Sequence, residues 1–533
     1  MTNSSSARPA YLDYIDDSSL DRPNEKQRDF IRRDSEDFAI LQGPPGTGKS
    51  LALAHAILDQ AYRWIIASNG AKHALVVAPS HRAVNATLRK VDQFKYAVMQ
   101  QTDCEVFSSL RLVRALSRDR DNRPDTRTNV EFFNYNAADD DELDQFQHDL
   151  VGQQGITSWG SSTDSLIIFG TPSGGNRIIK KSFGETIRPT FDLFAVDEAS
   201  MMTATDFLMA GSSTSDGART LITGDHRQLS PIQKHDWDEE KRRTIRERVP
   251  YLSVMDLFRL LSEKDEFGTE EQFGEVDRVG TVNYPIDRLE LTYRCDREVA
   301  RILKDLVYER DGIEYRSYLE DDPSRSGEEK SLAVTRTGNE PVDTALDPNC
   351  PITIVVHQDN ESQQSNALEA GIVDRFIEPL NLDQETLGVI TPHNAQRGRL
   401  IDMLGDKVPD GAIDTVDRFQ GSERDVIILS GTVSDPDYIR KETEFILSPN
   451  RLNVAVSRMK KKLIVIVSES LIEFIPSDAE DYDNARLWKL LLSKVSDASG
   501  GQAIWEGNIR ALLEGTVDPM PLNESVNIYT ISR

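Results

Sequence analysis

Gly43, Pro44, Pro45, Gly46, Thr47, Gly48, Lys49 and Ser50 form the segment of this chain richest in chemistry, and they fit the G-x-x-x-x-G-K-[S/T] pattern in full. The segment lies between an apolar run at 38–41 and an Ala- and Leu-rich run at 51–65 without Pro or Gly, so a strand before it and a helix after it are expected. The glycines let consecutive backbone N–H groups turn toward phosphate, and the helix N-terminus adds favourable dipole charge. Lys49 would reach the β and γ phosphates, and Ser50 would ligate Mg2+. Asp197 and Glu198 directly follow the apolar run at 193–196. A strand end there places Asp197 at the metal and leaves Glu198 to orient and deprotonate water. Gln228, in Gly-Asp-His-Arg-Gln-Leu after another apolar run, either senses the γ-phosphate or sits in a plain turn. These residues point to ATP and Mg2+ as cofactors and to ATP hydrolysis as the reaction.

The elements that must carry them read as follows. Strands are expected at 38–41, 74–78, 166–169, 193–196 and 220–223, with helices at 51–65 and from 83 onward. A second series begins near 291, with strands at 352–356, 386–390, 426–429 and 463–467. Strand alternating with helix predicts an α/β fold with parallel sheets covered by helices. Residues 1–23 read as a polar lead-in, 24–285 as a first domain, 286–480 as a second, and 481–533 as a helical tail with one helix at 484–495. The pattern weakens at about 104–165, which reads as a partly helical insertion in the first domain. Its arginines (Arg111, Arg114, Arg118, Arg120, Arg123, Arg127) either face nucleic acid or form a solvated, salt-bridged helix face. The acidic run at 139–142 reads as surface charge, and 321–349 as a polar excursion.

Composition narrows the class. The 533 residues hold 62 Lys+Arg against 89 Asp+Glu, a net charge of −27, which opposes indiscriminate binding to polyanions but leaves room for a local basic groove. Only 19 of the basic residues are Lys, and an acidic, Lys-poor chain fits a cytoplasm of high salt. Three cysteines form no disulfide framework and no zinc or iron–sulfur pattern. No apolar run is long enough for a membrane span, and a cytoplasmic protein is expected.

With these motifs in order, the chain resembles superfamily 1 helicases, specifically the branch containing the nonsense-decay RNA helicase and the replication helicase–nuclease. The resemblance implies two tandem RecA-like domains of the P-loop NTPase class. It implies that Gln27 reads adenine, Tyr293 stacks on it, and Arg294 and Arg458 reach the γ-phosphate as arginine fingers. Gln420, Gly421 and Glu423 would face the nucleotide. Pro79, Ser80, His81, Asn85, Thr171, Pro172, Pro392, His393, Thr415 and Arg418 match motifs that contact a single nucleic-acid strand, and movement 5′ to 3′ is implied. Neither the relatives' β-barrel, for which the residues preceding Asn24 are too few, nor a nuclease is expected beside the motor on this chain. His81 and Arg418 depart from the usual residues. Each either strengthens phosphate contact or serves locally, His81 in a hydrogen bond and Arg418 in a salt bridge. The expected function is an ATP-dependent translocase or helicase on single-stranded nucleic acid, with DNA slightly preferred over RNA. The alternative is an ATP-gated clamp or remodelling subunit of a repair or antiviral defence complex, with a partner supplying a nuclease or a strand-separating wedge.

Overall fold

The computed structural model describes residues 10–532 apart from 17–21, 34–36, 68–70, 102–104, 119–122, 152–163, 184–189, 232–251, 262–283, 285, 322–331, 381–385, 420–421, 477–478, 499 and 514–523. The chain divides into two compact units. One comprises Met1–Gly43, Gly48–His226 and Ser230–Leu289, and the other Pro44–Thr47, Arg227–Leu229 and Glu290–Arg533.

The first unit is built on eight strands: β1 (Phe38–Gln42), β2 (His73–Val77), β3 (Leu110–Leu116), β4 (Val130–Asn134), β5 (Ser165–Gly170), β6 (Phe191–Val196), β7 (Thr214–Gly224) and β8 (Ile286–Arg288). Their order is β4-β3-β5-β2-β6-β7-β1-β8 and every pairing is parallel. Such a sheet must be covered on both faces, which is why β2 and β5 are buried at every position. The helices are α1 (Tyr11–Asp16), α2 (Glu25–Arg32), α3 (Lys49–Ala67), α4 (His81–Gln101), α5 (Asp140–Val151) and α6 (Pro172–Phe183). Leu53, Ile57, Leu88 and Val91, from α3 and α4, pack with Leu41, Val76 and Ile167 in one core cluster.

Two parts of this unit differ from the sequence expectation. The lead-in contains α1, whose Tyr11, Leu12 and Ile15 enter the core, and the Tyr11 hydroxyl lies 2.9 Å from His55 Nδ1. Burial, with Arg28 and Lys90 adding positive charge, pulls the His55 pKa down to about 3, so this ring is neutral in the core. The weak stretch holds the helix α5, but it is not helical throughout. It supplies β3 and β4, which extend the parallel sheet at one edge. Arg111 leaves the strand to pair with Glu131 at 2.8 Å and Asp149 at 2.7 Å, and Arg114 is 1% exposed. Arg123 lies over the Phe132 ring at 5.0 Å, whereas Arg120 lies outside the described residues. The acidic run opens α5 through a reciprocal cap: Glu142 N–H donates to Asp139 Oδ1 at 2.9 Å and Asp139 N–H to Glu142 Oε2 at 3.2 Å.

The second unit holds a two-stranded sheet, β9 (Leu291–Thr292) with β10 (Arg316–Ser317), and a seven-stranded one. The larger sheet contains β11 (Ile352–His357), β12 (Leu387–Thr391), β13 (Ile413–Thr415), β14 (Arg424–Ser430), β15 (Met459–Ser468), β16 (Trp505–Asn508) and β17 (Ser525–Ile531), ordered β13-β12-β14-β15-β11-β17-β16. Its first five strands are parallel, while β17 is antiparallel to both β11 and β16. The tail therefore adds two strands as well as the helix Ala479–Ala498. Beneath β14, Glu369 accepts from the Thr432 N–H at 2.8 Å and faces His357 at 3.0 Å, all in the interior. That acceptor helps hold Thr432 at φ 69°, a left-handed backbone that a β-branched residue adopts only under such constraint.

Candidate nucleotide and nucleic-acid sites

In the first unit the candidate nucleotide residues gather at the C-terminal ends of β1, β6 and β7. β1 delivers Gln42 and Gly43, and Gly43 N–H donates to the Gly224 carbonyl at 3.1 Å, so the loop leaves the sheet at a fixed height. Lys49 and Ser50 open α3, where the helix N-terminus and its dipole favour an anion. The Lys49 ammonium donates to the Gly43 carbonyl, which arches the side chain back over its own loop. Gly48 has φ +82°, and a Cβ there would collide with the Gln27 amide nitrogen. Gln27 itself forms a capping box at the start of α2. Its Oε1 accepts from Asn24 N–H at 2.9 Å, while its own N–H donates to Asn24 Oδ1 at 3.0 Å. The cap fixes the side chain with its NH2 toward the loop, an orientation suited to donating to a purine ring.

Asp197 directly follows β6 and is 2% exposed. Its Oδ2 accepts from the Thr87 hydroxyl at 2.7 Å, and its Oδ1 from the Thr223 hydroxyl at 2.8 Å and from Glu198 N–H at 3.0 Å. Three donors orient the carboxylate, and an ionised carboxylate has lone-pair sites enough to ligate as well. A serine hydroxyl and one carboxylate are hard oxygen donors, and they fit Mg2+ held largely by nucleotide phosphates and water. Glu198 follows at φ 54°, ψ 44°, which turns the chain sharply at the strand end. Thr87 and Thr223 escaped the sequence reading. Their only signal was a hydroxyl on an otherwise apolar helix face and another one residue before Gly224.

The second unit assembles the arginines. Arg294 Nη1 donates to the Ser457 carbonyl at 2.9 Å, and its Nη2 pairs with Glu423. Arg458 Nη2 reaches the Ser457 hydroxyl and Gln228 Oε1, each at 3.2 Å. Ser457 thus takes one arginine on its carbonyl and the other on its hydroxyl. Burial pushes the Glu423 carboxyl up, but Arg294, Lys460 and Arg458 outweigh it and hold the pKa down at about 2. Gly46 has φ +75°, and a Cβ there would strike Arg294 Cβ and Thr292 Oγ1 at 2.5 Å. The Pro45 carbonyl accepts from Tyr315 at 2.8 Å and Thr292 at 3.1 Å. Tyr293 is 43% exposed, stacked on Tyr318 with centroids 5.8 Å apart, and so offers a ring face of the kind adenine uses. Gln420 and Gly421 lie outside the described residues.

The candidate strand contacts divide into exposed and engaged residues. Ser80 is exposed and caps α4, accepting from Ala83 N–H at 3.2 Å. Thr171, half-buried, and Pro172, buried, open α6, with Thr171 Oγ1 accepting from Gly174 N–H at 3.3 Å. Half-buried Pro79 precedes Ser80, and half-buried Pro392 precedes the helix Asn394–Leu404. His81 and Asn85 are turned toward Arg114, at 2.8 Å each. His393 is 8% exposed, with its ring 5.1 Å from Phe445 and 6.0 Å from Tyr438. Burial, then the charge of Arg451, lowers its pKa to about 4, so the ring is neutral near neutral pH in this structure. Thr415 is buried, its N–H on Asp414 Oδ1 at 2.9 Å. Asp414 also takes Arg397 at 2.9 Å and lies 3.8 Å from Arg418, whose side chain is 61% exposed. The salt-bridge reading of Arg418 is thus present, but loose and exposed.

Two different family models, each described as "AAA domain", match this chain, one at residues 22–154 and the other at 273–470. Among curated relatives, the DNA polymerase alpha-associated DNA helicase A of Saccharomyces cerevisiae is 24% identical over 81% of this chain and 62% of its own length. The DNA replication ATP-dependent helicase/nuclease DNA2 of the same yeast is 25% identical over 86% of this chain and 26% of its own. The Drosophila melanogaster regulator of nonsense transcripts 1 homolog is 23% identical over 92% of this chain and 37% of its own. This chain therefore spans less than two thirds of each of these proteins. Fold, motifs and matches agree on two AAA/RecA-like P-loop domains, and the chain is similar over most of its length to part of each of these helicase-like proteins. No helix among the described residues is long and apolar enough to cross a membrane.

Proposed function

We propose that this chain is a motor that hydrolyses ATP with Mg2+ and translocates along single-stranded nucleic acid, 5′ to 3′, with DNA slightly preferred over RNA. The observation that carries the reading is the arrangement at Ser457, where Arg294 and Arg458 are held side by side with Gln228 on Arg458. Two arginines fixed in this way would sense and stabilise charge on a transferring γ-phosphoryl group, and Gln228 would feel which state Arg458 is in. In this mechanism Lys49 and the N–H groups of its loop bind the phosphates. Ser50 and Asp197 would hold Mg2+, whose charge would offset that of the phosphates, and Glu198 would take the proton of the attacking water. Loss of the γ-phosphate then removes the partner of the arginines and releases the grip of the loops at Ser80, Thr171 and Thr415 on the strand. Such loops contact the backbone rather than base edges, so little sequence preference is expected.

The test is steady-state ATP turnover of the wild type and Glu198→Gln, without polymer and with single-stranded DNA or RNA, at low and high salt. Stimulation by one polymer, abolished by the substitution, establishes the motor and names its track. Unwinding of duplexes with a 5′ but not a 3′ tail then fixes direction. Turnover indifferent to both polymers overturns the proposal. Activity persisting at molar salt would support adaptation to a salt-rich cytoplasm, since phosphate contacts weaken steeply with salt.

A further inference from the structure

Arg114 sits in β3 with its side chain among the largest fully buried ones in the chain. Its neighbours Leu112 and Val113 are buried apolar residues, and nothing in the strand's own packing asks for a charge between them and Ala115. Removing a guanidinium from water is costly, and the group is tolerated only where its donors are well used. Here they are used in two directions. Nε donates to Asn85 Oδ1 at 2.8 Å and Nη2 contacts His81 Nδ1 at 2.8 Å. Nη1 donates to the Ala115 carbonyl at 2.7 Å and the Phe169 carbonyl at 3.2 Å. Arginine only donates, so His81 must accept at Nδ1 and carry its proton on Nε2.

His81 is the first residue of α4, and Asn85 lies one turn on along the same face. Phe169 stands at the end of β5, immediately before Gly170 and Thr171. One side chain therefore ties the start of α4, just after Ser80, to the end of β5, just before Thr171 and Pro172. We infer that Arg114 is a positioning residue that sets the spacing of these two strand-gripping loops, and that His81 and Asn85 act through it rather than on the nucleic acid itself. The inference rests on the proposed function, because it assigns a role within that grip.

The test compares wild type with Arg114→Lys, which keeps a charge but cannot reach both sets of acceptors from one ammonium. ATP turnover is titrated with oligo(dT) and with oligo(U). Unstimulated turnover and the KM for ATP should stay at wild-type values, while the half-stimulating polymer concentration rises about tenfold. A shift under about twofold overturns the inference, as does an equal loss of unstimulated turnover, which would mark a merely structural role. A second pair of variants stands if Arg114→Lys fails to fold. His81→Gln keeps an acceptor for Arg114 and should titrate like wild type, whereas His81→Leu should weaken the polymer response. Equal weakening by both would mean that the imidazole touches the strand directly, and the inference falls. A wild type that no polymer stimulates defeats the proposed function itself, a result distinct from stimulation that Arg114→Lys leaves unchanged.

Discussion

The two units solve opposite electrostatic problems. The first must present a carboxylate, and it orients Asp197 with hydroxyls from Thr87 and Thr223, donors that add direction without neutralising charge. The second must keep buried arginines charged and aimed, and it does so with a carboxylate, Glu423, and with carbonyl and hydroxyl oxygens of Ser457. In the proposed mechanism the difference follows from the partner each side would await. A metal ligand has to keep its full charge, whereas a guanidinium waiting for a phosphate needs a partner that a phosphate can displace.

The contrast can be broken most forcefully on the arginine side. Arg458→Ala should lower kcat about a thousandfold, the scale of arginine fingers, with ATP binding measured by a fluorescent analogue changed far less. On the carboxylate side the expected effect is smaller. Thr87→Val leaves Asp197 in place but less well oriented, and about tenfold more Mg2+ should be needed for half-maximal turnover, read from a magnesium titration. A Thr87→Ser variant restores the hydroxyl and should restore the requirement.

A third comparison is in pH. His393 titrates at about 4 in the folded second unit, below the ordinary value of 6.5, so the unfolded chain binds the proton more readily. Stability at this site is fully present above pH 6.5 and is lost as pH falls toward 4. The loss is on the order of 3 kcal/mol at most. Thermal melts of wild type and His393→Phe should therefore converge as the pH falls through this window, the variant losing less. Glu423 is depressed in the carboxylate sense, so its contribution is present above the ordinary carboxylate range and fades as pH falls toward about 2. The smallest effect belongs to Arg418→Ala. Its pair with Asp414 is 3.8 Å long and its side chain 61% exposed, so stability should change by less than about 0.5 kcal/mol. A large fall in the polymer response of that variant would instead show Arg418 in the grip.

What the sequence made legible follows the range of each signal. Every strand expected in the two parallel series is present, because fully buried strands such as 166–169 or 463–467 are apolar runs that carry their own evidence. The placement of Lys49 at the start of a helix and of Asp197 just after an apolar strand was readable from the order of the segments. β3 was not, since Arg111 and Arg114 interrupt its apolar pattern and their reasons lie far along the chain, in Glu131, Asp149, His81 and Asn85. β17 was hidden differently. Ser-Val-Asn-Ile-Tyr-Thr-Ile alternates as an antiparallel strand should, but a short alternation says nothing about which distant partner it will find. Thr87 and Thr223 belong to the same class, as hydroxyls whose purpose appears only beside the carboxylate they meet.

The pairing of β17 with β11 bears on how the chain is made. β11 has β15 on one side and β17 on the other, so its second edge stays open until residue 531 has left the ribosome. Among the described residues the first unit's sheet takes its last strand from β8, so it can close while the second is still being synthesised. For the time between the emergence of β11 and of β17, an apolar strand of Ile, Thr and Val stands with unpaired backbone groups, the state in which nascent chains most readily pair with one another. A translation pause within that interval would lengthen the exposure, and chaperone demand should track the distance between these two strands rather than the length of the protein.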